Sequence, residues 1–137
     1  MKIVLLAALL FCYSFSMAQT EATIRTHYTE VNKKIGESID QGYEGPLYQN
    51  QWIINKNGKS WPAVGLYADT VNFWYDDDPN HLPPAERPLK NVLLKVNTSR
   101  QSSALFSQSE FLFKDGRLLF YYLHEGEEGN EWETRVY

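Results

Sequence analysis

A chain of 137 residues with a formal net charge of −4, one cysteine and no basic run is bounded by those counts alone. They exclude a disulfide framework and a thiolate zinc site, and they make nucleic acid a poor partner. The length suits one domain, and an aromatic content of 15% can supply its core without cross-links.

Residues 1–18 read as a cleaved signal peptide. Lys2 gives a positive start, an apolar run follows, and Ser16 and Ala18 are the small residues that such a cut requires. The apolar run is shorter than the roughly 20 residues that span a bilayer, so no membrane span is expected after cleavage. Cys12 leaves with the leader, and bulky Phe11 before it argues against lipidation. Residues 19–137 then form a single α+β domain that is secreted or periplasmic.

From Thr20 to about Gln41, apolar residues at Ile24, Tyr28, Val31, Ile35 and Ile39 make one helical stripe, with charged residues on the other faces. Thr20 is placed to cap its start and Gly42 to stop it. Asn57-Gly58 then marks a turn between Tyr48–Asn55 and Ser60–Tyr75. Counting outward from that turn opposes Ile54 to Trp61, Trp52 to Ala63 and Tyr48 to Tyr67, with Pro62 inside the second strand. Val71, Phe73 and Tyr75 continue the same apolar face.

Residues 76–88 lack periodicity and are rich in proline, the mark of a long loop. Leu89 to Thr98 alternates, with Val92, Leu94 and Val96 on one face, and Ser99–Ser103 turns the chain back. The strongest local signal is Asp115-Gly116 between two aromatic runs, a type I′ hairpin turn. A simple register opposes Phe113 to Leu118, Phe111 to Phe120 and Ser109 to Tyr122 on the core face. Leu112 with Leu119, Glu110 with Tyr121, and Gln108 with Leu123 fall on the other. After a turn at 126–130, Trp132, Thr134 and Val136 alternate in a last strand. The expected fold is one N-terminal amphipathic helix packed on a twisted antiparallel sheet of about six strands, mostly meander.

Chemistry is harder to place. Asp76-x-Asp78-x-Asn80 resembles the first half of a calcium loop, but His81 and Arg87 stand where that loop needs glycine and glutamate. No nucleophile elbow, metalloprotease helix, phosphate loop or cofactor motif occurs. A hydrolase could draw a carboxylate pair from Asp69, Asp76, Asp77, Glu110 and Glu125, as any acidic domain could. The informative signal is geometric, because one helix covers one face of a sheet and leaves the other. Val64, Leu66, Trp74, Leu112, Leu119, Tyr121 and Leu123 count onto the uncovered side. Leu66, Trp74, Leu112, Tyr121 and Leu123 are therefore the expected binding residues, for a protein, a glycan or a small apolar ligand, or for a second copy in a homodimer.

Ile24, Arg25 and Tyr28 on the helix, followed by Phe-Lys-Asp-Gly-Arg-Leu-Leu-Phe at Phe113–Phe120, resemble small secreted bacterial proteins of unknown function built from a helix and an aromatic β-meander. The resemblance implies the same fold and a periplasmic or extracellular address. It implies neither activity nor ligand. The expectation of a non-enzymatic binding domain comes from the residues, with the uncovered face or the loop 76–88 as the binding surface, and a hydrolase with a carboxylate site at the sheet end is the alternative.

Overall fold

The computed structural model describes residues 2–63, 65–76 and 92–137, with side chains from Glu21 onward. One helix, α1 (Lys2–Gln41), leads through a 3-10 turn at Gly42–Glu44 into six strands. These are β1 (Tyr48–Ile54), β2 (Tyr67–Asp76), β3 (Val92–Ser102), β4 (Leu105–Lys114), β5 (Arg117–Glu127) and β6 (Asn130–Val136). They pair in sequence order as one antiparallel sheet, β1-β2-β3-β4-β5-β6. The architecture is an α+β meander, as the periodicity implies.

The helix continues upstream of Thr20, so Thr20 is not an N-cap. At its other end Gly42 adopts φ 62°, a left-handed conformation that suits glycine and ends the helix. Ile24 and Val31 are buried and Tyr28 and Ile35 pack beside them, whereas Ile39 is 66% exposed. The stripe works over three turns and then leaves the sheet. Ser38 fixes that exit: its hydroxyl donates to the Lys34 carbonyl and accepts from the Leu47 amide. Gly45 sits so close that a Cβ there would overlap the Cα of Ser38.

The Asp115-Gly116 turn forms with φ of 52° and 74°, closing Lys114 onto Arg117. The simple register holds for only one more pair. Phe113 faces Leu118, but Leu112 faces Phe120, leaving Leu119 as the extra residue of a bulge. A bulge moves every later side chain of that strand to the opposite face. Phe120 and Tyr122 therefore join Leu112 and Glu110, while Tyr121 and Leu123 join Phe111 and Ser109. A second bulge opposes Trp74 to Lys95 and Tyr75 to Leu93, with Leu94 extra. The alternation of Val92, Leu94 and Val96 breaks there, and β3 runs on to Ser102 instead of turning at Ser99.

The connection before β2 also departs from a tight hairpin. Tyr48 pairs with Tyr75 and Ile54 with Asp69, so Trp61, Pro62 and Ala63 are not opposite β1. Two small turns occupy the interval. The Gly58 amide donates to the Asn55 carbonyl, and Trp61 and Gly65 exchange both backbone bonds around Pro62. The turn thus forms one residue early, centred on Lys56-Asn57 with Gly58 closing it, and the pairing of Trp52 with Val71 replaces the expected tight hairpin.

Candidate functional site

Which face the helix takes decides what is left open. Tyr28 meets Phe120 edge-on at 5.8 Å, and its hydroxyl donates to Glu110 Oε2 at 2.7 Å. Lys95 Nζ donates to Asn32 Oδ1 at 2.7 Å and pairs with Glu110 Oε2 at 2.8 Å, while lying over the Tyr28 ring. Lys34 pairs with Asp76 at 2.8 Å, and His27 reaches the Phe113 carbonyl at 3.0 Å. Trp74, Leu94 and Leu112 complete the core beneath α1.

Two of the expected binding residues are thereby corrected. Trp74 is 5% exposed and Leu112 fully buried, because they share the helix-covered face with Lys95 and Phe120. Leu66 is half-buried outside the strands, its carbonyl accepting from the Ser103 amide. Leu119, half-buried, packs against the core. Tyr121 and Leu123 lie on the face turned away from α1. Val64 lies outside the described residues, as do Asp77, Asp78, Asn80 and the rest of the loop to residue 88.

That far face is the more apolar one. Reading across the sheet, one row is Asn50, Phe73, Val96, Phe111, Tyr121 and Val136. The next row is Trp52, Val71, Thr98, Ser109, Leu123 and Thr134, and the third runs from Ile54 through Asp69, Arg100, Ser107 and Glu125 to Trp132. Trp52 is 66% exposed, Ile54 49% and Val136 54%. Trp52 meets Phe73 at 5.0 Å, and Phe111 meets Tyr121 at 4.9 Å, so neighbouring rings support one another. Among the described residues no helix packs on this face. Asp69 is a buried carboxylate on this face: it is 7% exposed and receives Arg100 Nη2 at 2.9 Å and the Tyr67 hydroxyl at 3.1 Å.

Trp52, Phe73 and Phe111 were counted together from sequence, but onto the helix side. The helix instead covers the mixed face because its stripe is flanked by His27, Asn32 and Lys34, which find Phe113, Lys95 and Asp76 there. That complementarity was the available signal. Lys95 itself was missed, since the bulge at Leu94 turns it inward.

Among the described residues the candidate carboxylates Asp69, Asp76, Glu110 and Glu125 do not converge. Asp69 is held by Arg100, Asp76 by Lys34, Glu110 by Lys95 and Tyr28, and Glu125 accepts from the Trp132 indole at 3.0 Å. Among the described residues no group of three or more histidine, cysteine or acidic side chains is placed to hold a metal ion. A cleft of about 470 Å³ opens between α1 and the β5–β6 side, lined by Arg25, Tyr28, Phe120 and Arg135. Its arginines already pair with Glu21 and Glu133. No helix among the described residues is long and apolar enough to cross a membrane. No family model, curated protein or solved structure matches the chain.

Proposed function

We propose that the chain is an exported, non-enzymatic binding domain whose aromatic sheet face docks an apolar surface of a partner protein. The observation that carries this is the three cross-strand rows opposite α1, which place Trp52, Phe73, Phe111 and Tyr121 on one face. An apolar face rimmed by polar groups is the usual anatomy of a protein contact. A glycan would call for rings lying flat to the surface, whereas Trp52 and Phe73 stand at 61° to each other. The leader-like pattern of residues 1–18, with Lys2, an apolar run and small Ser16 and Ala18, supports the export half of the proposal. Mass spectrometry of the protein expressed from its first codon in a secreting host tests it, and loss of residues 1–18 is the expected result.

Burying an aromatic side chain contributes roughly 1.5–3 kcal/mol, or about tenfold or more in affinity. Trp52→Ser and Tyr121→Ser should each reduce partner capture from the export compartment by that factor, while Glu30→Ala on the exposed side of α1 should not. Equal capture by all three would overturn the reading. Binding of polysaccharide instead, lost in the same two variants, would assign the face to a glycan.

A further inference from the structure

We infer that the open edge of β1 pairs with β1 of a second copy of this chain, antiparallel about a two-fold axis at Gln51. Among the described residues the sheet ends at β1, and all seven residues of that strand are exposed. Edge strands normally carry lysine, proline, bulges or inward charges that discourage pairing. Tyr-Gln-Asn-Gln-Trp-Ile-Ile has no charge and no proline, and its register with β2 is unbroken. The strand at the opposite edge, β6, is protected in the ordinary way by Glu131, Glu133 and Arg135.

A two-fold contact must be self-complementary. Directly opposed residues of antiparallel strands share a face, so only registers that match the two faces are allowed. The one that uses the whole strand opposes Gln51 to Gln51, Asn50 to Trp52 and Gln49 to Ile53. No like charges meet in it. The flanking segments agree in sign: antiparallel pairing carries Glu44, before β1, toward Lys56 and Lys59, after β1, of the other copy. All three are exposed. That matters for a chain of net charge −4, whose copies otherwise repel. Both aromatic faces then lie on the same side of a continuous sheet, leaving the partner surface open and doubling its width.

Sedimentation equilibrium on the exported protein with Gln51→Lys and Gln51→Glu tests the pairing, because each puts like charges opposite each other at the axis. The Gln51 amide shares its acceptor Asn72 Oδ1 with Gln49, so either variant leaves Asn72 partnered, and circular dichroism checks that both fold. Strand pairing alone is a small interface, so the wild type is expected to dimerise with Kd on the order of 10 µM. Each variant should weaken this by about tenfold or more, and an equimolar mixture of the two should restore it. A wild type that stays monomeric at about 200 µM overturns the inference. So does a dimer that both variants leave intact, or a mixture that fails to recover. A wild type that stays monomeric while its Gln51→Lys variant loses a partner protein would assign the edge to that partner's strand.

Discussion

Lys95 is the residue on which the covered face turns. Its side chain is 3% exposed, and three neighbours from two elements hold it: Asn32 and the Tyr28 ring from α1, and Glu110 from β4. Burial pushes its pKa below the ordinary 10.5, with the Glu110 carboxylate opposing that shift through its hydrogen bond and charge. Removing one member of such a pair strands the other. Lys95→Met is therefore expected to cost about 1–3 kcal/mol in urea unfolding, less than a fully buried pair because the Glu110 side chain is 25% exposed. Adding Glu110→Gln should recover most of the loss, since a neutral amide still accepts from the Tyr28 hydroxyl. The sign of the pH dependence follows from linkage. Between its lowered folded value and 10.5 the unfolded lysine holds more protons than the folded one. Stability should thus rise with pH in that window relative to Lys95→Met. A falling difference would mean that attraction to Glu110 outweighs burial and raises the folded value of Lys95 instead.

At the scale of elements, one extra residue decides the outcome of a whole strand. Leu-Leu-Phe-Tyr-Tyr-Leu from Leu118 to Leu123 is apolar at every position, so alternation carries no information about which side chains face inward. The turn at Asp115-Gly116 was legible because its chemistry is local. The bulge at Leu119 was not, because it answers to Tyr28 on α1, which meets Phe120 edge-on across the interface, and Tyr122 follows Phe120 to the helix side. Likewise Asn57-Gly58 marked the place of a turn but not a tight hairpin, since the turn is centred on Lys56-Asn57 and β1 pairs with residues 69–75. Deleting Leu119 removes the slip and should return Phe120 and Tyr122 to the far face. The contact of Tyr28 with Phe120 and its bond to Glu110 next to Tyr122 would lose their setting. A drop of about 2–4 kcal/mol in unfolding free energy is expected, the range for losing a large core side chain. A variant as stable as the wild type would show that the bulge does no packing.

For the whole molecule, the amphipathic stripe and the turns made the fold class legible, along with the existence of two unlike sheet faces. The assignment of those faces was not legible, because hydrophobicity alone favours burying the aromatic one. Complementarity of polar partners chose otherwise: the mixed face carries Lys95, Glu110 and Asp76, which α1 can satisfy, and burying those groups without partners would cost more than leaving rings half-wet. The consequence is a folded protein with a dye-accessible apolar face. An environment-sensitive naphthalene sulfonate should gain fluorescence with the native chain, under conditions where near-ultraviolet circular dichroism shows fixed packing. That combination separates an open face from a loosened core, which loses the dichroism. Trp52→Ser should cut the signal with little change in stability, because Trp52 is 66% exposed. Leu112→Ala should behave in the opposite way, losing about 2–5 kcal/mol of stability from a fully buried site. Edge pairing through β1 leaves the face open, so dye binding should be the same per chain at dilutions that favour monomer and at concentrations that favour dimer. A signal that falls as the dimer forms would mean that two copies meet through their aromatic faces instead, and the partner surface would be the dimer interface.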